Sequence, residues 1–367
     1  MKLNKLKILS AFTRLMIFIA LFILSNQSFV LGQDESDHDD NSSDEVIDLG
    51  KIYVEDTLIE NYELIDRPTS FATVLDAREL SKRSLTLSEA LEAAPGVSIT
   101  TFGGLGSLST ISIRGAGSRN VLVLLDGVPL NPSGGTVDLS DISLDSLERI
   151  EIIRGGESAN YGSGAVGGVV RLISRSPDID EILSGRITLG SFGTLTSALT
   201  FTRPEFLLHA EYQSSNGNFT FLNDNGTSFA TSDDFIDNRI NNNYSAIESR
   251  FVWTREIDDS RRFNLNGEFY DAAKGIPGIT TFPTREASQD DRRFFLRFGY
   301  DDSSFENGTL TSSVAFLKQD RDFTDPLGEA TGVPLDTSFS HERFDFRAEY
   351  TSTGFSKNDI LILGTNY

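Results

Sequence analysis

Apolar and polar residues alternate along several segments in the C-terminal half of the chain. Residues 262–269 (RFNLNGEF) place an apolar residue or glycine at every second position, and residues 343–350 (RFDFRAEY) repeat that order. Successive side chains of a β-strand point to opposite faces, so the pattern predicts strands with one apolar and one charged face. Segments of about ten residues with this alternation are typical of outer-membrane β-barrels, whose apolar face meets lipid. A soluble β-sandwich is the alternative interpretation.

Residues 148–175 (ERIEIIRGGESANYGSGAVGGVVRLISR) have a different pattern, in which two β-branched, apolar runs flank a segment with six glycines. The pattern predicts two strands joined by a glycine-rich loop. Gly162, Gly164 and Gly167 also spell G-x-G-x-x-G, the dinucleotide fingerprint. That fingerprint requires a helix to begin at its last glycines, whereas VVRLIS predicts a strand.

Between residues 86 and 130 the pattern predicts a mixed α/β unit. Thr86 and Glu89 form a capping box before helically spaced apolar residues, and Pro95-Gly96 ends the helix. A strand is predicted at residues 97–101. Two further strands, residues 121–125 and 128–130, are separated by Asp126-Gly127, a turn pair of β-hairpins.

The N-terminus has the layout of a secretory signal. Basic residues precede an uncharged apolar run at residues 15–24, and a cleavage site is predicted near Gln33. A membrane anchor is the alternative, but this run is short for a bilayer of about 30 Å. Residues 34–45 (DESDHDDNSSDE) contain seven acids and no apolar residue, which predicts a disordered spacer.

Composition narrows the class of protein further. The 367 residues include no cysteine, so disulfides and thiolate metal sites are excluded. The formal net charge of -22 argues against a nucleic-acid partner. His209 and His341 lie far apart inside strand patterns, and no nucleophile or metal-spaced partner accompanies them. We therefore do not expect an enzyme.

Three motifs occur in order between residues 113 and 155: I-R-G at residues 113–115, L-D-G-V at residues 125–128 and E-R-I-E-x-x-R-G at residues 148–155. With them, residues 68–175 resemble the plug domain of TonB-dependent outer-membrane receptors, most closely the cobalamin-receptor branch. The resemblance implies an α+β plug domain followed by antiparallel transmembrane β-barrel strands in the bacterial outer membrane. It divides the chain into a signal peptide (1–32), an acidic spacer with a TonB-box-like segment (33–57), a plug (58–178) and the N-terminal part of a barrel (179–367).

The resemblance also implies roles for particular residues. Ile52, Tyr53 and Val54 match the TonB box best, and the segment would add as a strand to a sheet of TonB, which belongs to an inner-membrane energising complex. The first plug strand is the alternative. Substrate contacts are expected from two plug loops, and charged residues at the plug–barrel boundary are expected to form ion pairs. The substrate candidates are Thr101, Phe102, Ser107 and Asn131, and the ion-pair candidates are Arg114, Glu151 and Arg154.

Long polar loops lie between the predicted barrel strands. Four acids in residues 216–243 offer oxygen ligands to calcium, which orders such loops in cobalamin-type receptors, so calcium is the one cofactor considered. These acids are Asp224, Asp233, Asp234 and Asp237. Their spacing is not that of an EF-hand, and an acidic solubilising loop is the alternative.

The number of predicted strands conflicts with a complete receptor. Residues 184–367 contain about nine or ten candidate strands, whereas a plugged transporter needs about 22. The sequence therefore predicts the N-terminal half of a receptor for TonB-dependent uptake of a scarce nutrient chelate, with cobalamin, a ferric siderophore and heme as candidate substrates. The alternative is a truncated or non-transporting outer-membrane surface protein that binds ligands as an adhesin or phage receptor does.

Overall fold

The computed structural model describes residues 72–83, 86–155, 163–227, 229, 231–306, 308–352 and 361–366. An α/β domain comes first, and a large antiparallel sheet follows it. The first domain is called the plug and the large sheet the barrel wall. No helix in these residues is long and apolar enough to cross a bilayer.

The plug contains a five-stranded sheet and two short helices. The sheet order is β1-β6-β7-β4-β5, with β4 and β7 parallel and the other neighbours antiparallel. A separate pair is formed by β2 and β3. The strands are β1 (Ala72–Asp76), β2 (Val97–Thr101), β3 (Ser109–Ile113), β4 (Val121–Leu125), β5 (Val128–Pro129), β6 (Leu147–Arg154) and β7 (Gly168–Ser174); the helices are α1 (Ala77–Leu80) and α2 (Leu87–Glu92).

The local predictions for the plug are confirmed. Thr86 is the N-cap of α2, and its hydroxyl accepts a hydrogen bond from the backbone N–H of Glu89 at 3.2 Å. Asp126 and Gly127 connect β4 to β5 with φ of 48° and 86°, the positive values that a tight hairpin turn requires. A strand rather than a helix begins at Gly168, directly after the G-x-G-x-x-G spacing. The dinucleotide interpretation therefore fails.

The barrel wall is a nine-stranded sheet in which sequential strands are neighbours, apart from one hairpin inserted after β10. Its first and last strands, β8 and β18, are not paired with each other in the described residues, so the sheet is open. The wall strands are β8 (Ile182–Gly190), β9 (Thr194–Arg203), β10 (Phe206–Ser215), β13 (Tyr244–Asp258), β14 (Arg261–Gly275), β15 (Ser288–Phe305), β16 (Gly308–Asp325), β17 (Leu335–Ser352) and β18 (Leu361–Asn366); the inserted hairpin is β11 (Thr220–Asn223) and β12 (Phe235–Asn238).

The two faces of the wall separate as the alternation predicts. On β17, Phe344 is 72% exposed and Phe346 is 45% exposed, whereas Asp345 between them is buried against the plug side. Phe344 continues a row of aromatic rings on the outer face, with centroids 4.8 Å from Phe316, which in turn lies 6.2 Å from Phe294. The apolar outer face and charged inner face are those of membrane barrel strands.

Connections at the two ends of the wall differ in length. Residues 204–205 and 259–260 are short turns at one end. At the other end residues 191–193 are also a short turn, but residues 216–243, 276–287 and 326–334 are longer connections. Membrane barrels have short periplasmic turns and longer extracellular loops, so the end with short turns is assigned to the periplasm. The predicted long polar loop at residues 216–243 includes the β11–β12 hairpin, which the sequence analysis did not anticipate.

The plug core continues into the barrel wall. Leu87, Ala90 and Leu91 of α2 pack with the apolar residues of β4, β6 and β7, all fully buried. Phe295 and Leu317 of the barrel wall belong to the same cluster. Apolar burial therefore holds the plug against β15 and β16, and the charged contacts described below surround it.

Candidate functional site

The first group of polar contacts between plug and wall surrounds the plug turn Leu139–Asp141. Lys274 Nζ on β14 lies 2.8 Å from Asp141 Oδ1, 2.9 Å from Asp291 Oδ2 and 3.5 Å from Asp138 Oδ2. Arg321 on β16 approaches Asp141 from the other side, at 3.3 Å. The Lys274 side chain is 6% exposed, so this cation is removed from water and depends on its carboxylate partners.

Three carboxylates face two cations in this cluster, which leaves one negative charge without a partner of its own. The pKa of Asp141 is raised to about 6, mainly because the carboxyl is buried; the charges of Asp138 and Asp291 also raise it, while Lys274 and Arg321 act in the opposite direction. The Asp141 carboxyl therefore takes up a proton at a higher pH than a hydrated aspartate does.

A second group of contacts holds the next residues of the plug. The Ser143 backbone N–H donates to Glu248 Oε2 at 2.9 Å, and the Ser143 hydroxyl donates to Glu211 Oε2 at 2.9 Å. Two residues further on, Asp145 is ion-paired with Arg186 of β8. Residues 138–145 are thus bound to β8, β10, β13, β14, β15 and β16, which makes this segment the main polar anchor of the plug among the described residues.

A third group joins the β4–β5 hairpin to the wall. Asp126 accepts hydrogen bonds from the Ser174 N–H at 2.9 Å and from Asn266 Nδ2 at 3.1 Å. Arg250 of β13 donates to Ser174 Oγ at 2.6 Å and is ion-paired with Glu268 of β14. Arg250 and Glu268 are both fully buried, so the pair lies in a region of low dielectric.

Of the expected substrate residues, Asn131 has a different role. Its Oδ1 accepts from the Val123 N–H at 2.8 Å and its Nδ2 donates to the Val121 carbonyl at 3.1 Å, so its amide is used to extend the pairing of β4. Its backbone carbonyl accepts from Arg343 of β17 at 3.2 Å. The loop location led to the prediction of a ligand contact, but the side chain folds back onto the edge of its own sheet.

The other three candidates lie together in and beside the loop between β2 and β3. Phe102 is 67% exposed, and the Thr101 hydroxyl accepts a hydrogen bond from Ser109 at 3.1 Å. The Ser107 N–H donates to the Gly104 carbonyl at 3.0 Å, which closes the turn. Gly106, in the same turn, has φ of 78° and lies so close to the Tyr244 ring that a Cβ would clash with it. The loop is therefore fitted closely against β13, and Phe102 is left projecting.

The three expected boundary residues make their described contacts within the plug. Glu151 is ion-paired with Arg149 at 2.8 Å and with Arg171 at 3.0 Å, on neighbouring strands β6 and β7. For Glu151 the expectation of a pair with the barrel is wrong in the described residues, because two plug arginines lie on either side of it. Arg154 is 5% exposed and donates from Nη1 to Thr73 at 2.7 Å, while its Nε and Nη2 lack a hydrogen-bond partner. Burial and the nearby charge of Arg114 lower the pKa of Arg154.

The four loop acids do not form a calcium site in the described residues. Asp233 accepts hydrogen bonds from Thr227 and Asn225 within the hairpin turn. Asp237 accepts from Asn223 across the hairpin at 3.4 Å. In the parts of the chain that the structure describes, no three acidic or histidine side chains converge on one point, which applies to Asp224 and Asp234 as well. The carboxylates of Asp233 and Asp237, which were expected to bind calcium, accept hydrogen bonds within the hairpin.

Other expectations lie outside the described residues, namely the signal peptide, the acidic spacer and the TonB-box segment at Ile52, Tyr53 and Val54. The cluster of Asp138, Asp141 and Lys274 was not predicted from the sequence. A usable signal was present, since β14 carries charged residues on the face opposite its apolar one. Their partners lie more than a hundred residues away, however, and the alternation does not identify them.

The TonB-dependent Receptor Plug Domain family matches residues 65–169. The siderophore receptor PirA from Acinetobacter baumannii is similar in structure, with a TM-score of 0.58 and 19% identity over 80% of this chain and 47% of that one. The ferric yersiniabactin uptake receptor FyuA from Yersinia pestis has a TM-score of 0.58 and 16% identity, over 81% of this chain and 48% of that one. The copper transporter OprC has a TM-score of 0.60 and 15% identity, over 80% of this chain and 44% of that one.

The chain thus spans about half the length of the receptors that it matches. The matched receptors have the same succession of a plug and antiparallel strands, so the predicted fold class is confirmed, and residues 65–169 match the plug family that the sequence resembles.

Proposed function

We propose that the chain acts in energy-dependent uptake of a scarce nutrient chelate, with the plug closing the path through the barrel. The match of residues 65–169 to the plug family and the similarity in fold to siderophore receptors support this proposal. The observation that carries this proposal is the anchoring of residues 138–145 on six barrel strands through buried charged and hydrogen-bonding groups. A path closed in this way opens only when work is done on the plug, which is the task of an energising partner.

The substrate class follows from the matched receptors and from the plug loop. PirA and FyuA are siderophore receptors and OprC is a copper transporter, so a ferric siderophore is the leading candidate and a copper chelate the next. Cobalamin, suggested by the plug motifs, is retained as a candidate. Phe102 offers an exposed aromatic ring for a large chelate, with Thr101 and Ser107 next to it.

The partner is TonB together with its inner-membrane complex. Ile52, Tyr53 and Val54 form the segment that pairs with TonB by strand addition, in which backbone hydrogen bonds supply the affinity. Substrate at the plug must change the exposure of this segment, because coupling requires the bound ligand to favour either the exposed or the tucked state of the segment.

Arg114 and Arg154 are proposed to form ion pairs with carboxylates of further barrel strands. The buried Arg154 guanidinium has two N–H-bearing nitrogens without partners in the described residues. A buried cation in this situation is costly unless an anion completes the site.

A single substitution tests the coupling. Val54→Pro removes a backbone donor and should abolish uptake of iron(III)-enterobactin by cells that express the receptor, while surface binding is unchanged. Ser42→Pro, a proline in the acidic spacer, is the matched control and should leave uptake intact. Normal uptake by Val54→Pro would remove the TonB-box assignment, and parallel assays with cyanocobalamin and a copper chelate separate the substrates.

A second candidate is a non-transporting surface binding protein. The observation that favours it is the open nine-stranded sheet, which does not enclose the plug in the described residues. Proton-motive force distinguishes the two functions, because a passive binder retains the same amount of ligand after the membrane is de-energised, whereas a transporter stops accumulating it.

A further inference from the structure

Two buried tyrosines of the barrel wall lie between a plug loop, residues 102–108, and the plug anchor at residues 138–145. They are Tyr244 on β13 and Tyr270 on β14, and with two alanines they form a small apolar cluster. The side chain of Leu105, from the 102–108 loop, packs against this cluster. The two tyrosine side chains are called the tyrosine pair.

The 102–108 loop is in close contact with the ring of Tyr244. Gly106 has φ of 78°, and a Cβ at this position would clash with the ring. Glycine is therefore required here by the backbone conformation and by the approach of the ring. Because no space separates the loop from β13 at this point, a displacement of the loop changes its contact with Tyr244 directly.

The hydroxyl groups of the tyrosine pair are hydrogen-bonded in series. Tyr270 Oη donates to Asp141 Oδ1 at 3.1 Å, and the two tyrosine hydroxyls are 3.4 Å apart. A phenol has one proton to donate, so Tyr244 donates to Tyr270 while Tyr270 donates to the carboxylate. Hydrogen bonds in such a series polarise one another, so the loss of one weakens the other.

Asp141 joins this series to the buried ammonium group of the anchor. Its Oδ1 also accepts from Lys274 Nζ, at 2.8 Å. Arg293 contacts both ends of the bond between Tyr270 and Asp141. Its guanidinium carbon lies 5.2 Å from the centroid of the Tyr270 ring, and its Nη2 donates to the Asp141 carbonyl at 2.7 Å. The position of Tyr270 and the position of the anchor are thus fixed by the same groups.

A second connection between the loop and the anchor stays within the plug. The N–H of Ser109, just after the loop, donates to Asp138 Oδ1 at 3.0 Å, and Asp138 lies 3.5 Å from Lys274. Ser140 Oγ lies 3.4 Å from the Gly106 carbonyl oxygen but 2.8 Å from Asp138 Oδ1, so its single proton serves the shorter bond. The plug connection therefore holds the end of the loop, whereas the wall contact is made at the turn of the loop itself.

We propose that Tyr244 and Tyr270 are positioning residues that couple the 102–108 loop to the anchor through the barrel wall. A ligand that displaces the loop shifts the Tyr244 ring, weakens the hydrogen bond from Tyr270 to Asp141 and so loosens the anchor. The inference rests on the proposed function, which assigns this loop to substrate, and names the wall side chains through which substrate acts. Such coupling is a free-energy relation between two sites, so substitutions at both sites measure it without a ligand.

A double-mutant cycle in outer-membrane preparations of the full chain tests the coupling. Leu105→Ala removes the contact of the loop with the tyrosine pair, so amide hydrogen exchange of residues 138–146 should become several-fold faster. Tyr270→Phe keeps the ring but removes the hydroxyl, so exchange should be faster before the loop is changed. Adding Leu105→Ala to Tyr270→Phe should then accelerate exchange by less than about twofold, because the connection is already broken.

A second wall variant and a matched control accompany the cycle. Tyr244→Phe retains the ring that faces the loop but cannot donate to Tyr270, so it should reduce the effect of Leu105→Ala in the same way. Tyr300→Phe is the control, because Tyr300 donates to Asp302 at 2.8 Å near the periplasmic end of β15. In that background Leu105→Ala should accelerate exchange as much as it does in the parent.

Two results would overturn the coupling through the wall. An effect of Leu105→Ala that is as large in Tyr270→Phe as in the parent would assign the coupling to Ser109 and Asp138 within the plug. Unchanged exchange of the anchor after Leu105→Ala would show that the loop and the anchor are independent. Because neither ligand nor an energised membrane is used, these results are separate from the uptake assay with Val54→Pro.

Discussion

Lys274 on β14 and Asp141 on the plug are 133 residues apart in the sequence and are joined by a hydrogen bond of 2.8 Å. The same ammonium group contacts Asp291 of the neighbouring strand β15. One buried cation thus connects the plug to two barrel strands, and the contact lies inside an interface that must separate if the plug is to move.

Lys274→Met should release the plug more easily from the wall. The substitution keeps most of the side-chain volume but leaves buried carboxylates without their cation, at a cost of about 3–5 kcal/mol. Amide hydrogen exchange of residues 138–146 in outer-membrane preparations should become faster. Arg255→Met is the control, because Arg255 pairs with Glu205 at 2.9 Å beside the exposed turn at residues 204–205, where such a pair contributes about 0–1 kcal/mol. Equal exchange in the two variants would contradict the anchoring role.

Asn131→Ala should lower the stability of the plug, whereas Phe102→Ala should lower its affinity for the chelate. Loss of the Asn131 amide leaves the Val123 N–H and the Val121 carbonyl without that partner, which should lower the free energy of unfolding of the plug by about 1–3 kcal/mol. Phe102→Ala removes an exposed ring, so chelate affinity should fall while stability is unchanged. Urea titration and equilibrium binding of the same samples separate the two outcomes. A loss of affinity without destabilisation in Asn131→Ala would restore its assignment as a ligand residue.

Arginine on the outer face should impair membrane insertion in a position-dependent way. Phe344→Arg places a charge within the aromatic row, where the cost is about 2–4 kcal/mol near the bilayer midplane. Ser338→Arg, on the same face of β17 but nearer the extracellular end, should cost much less, at about 0–1 kcal/mol. The fraction of heat-modifiable, membrane-inserted protein measures the difference. Similar yields for both variants would contradict the assignment of this face to lipid.

Local signals allowed the sequence to predict single elements but not their assembly. The capping box at Thr86 and the Asp126-Gly127 turn depend on neighbouring residues, and both were identified correctly. The parallel pairing of β4 with β7 depends on contacts between distant segments, as does the partnership of Ser143 with Glu211 and Glu248. The hydrogen bonds of the Asn131 amide to β4 were not predicted, because polarity and a loop location are common to ligand residues and to residues that satisfy a sheet edge.

The plug anchor should also respond to pH through Asp141. Burial raises the pKa of this carboxyl to about 6 in the docked plug, above the value of 3.8 for a hydrated aspartate. Between these two values the docked state binds more protons than the released state, so docking is favoured as the pH falls through about 6 and weakens as it rises above that value. The groups that face Asp141 are Asp138, Tyr270, Lys274, Asp291, Arg293 and Arg321.

The backbone amide of Ser143, which donates to Glu248, reports on this equilibrium. Its protection factor, corrected for the intrinsic pH dependence of exchange, should decrease as the pH is raised from about 5 to about 7. Asp141→Asn, which has no carboxyl to titrate, should flatten that profile, and Asp336→Asn at the exposed start of β17 should preserve it. An unchanged slope in Asp141→Asn would assign the titration to another member of the cluster. A profile that rises with pH in the parent would show instead that ionised Asp141, paired with Lys274, stabilises docking.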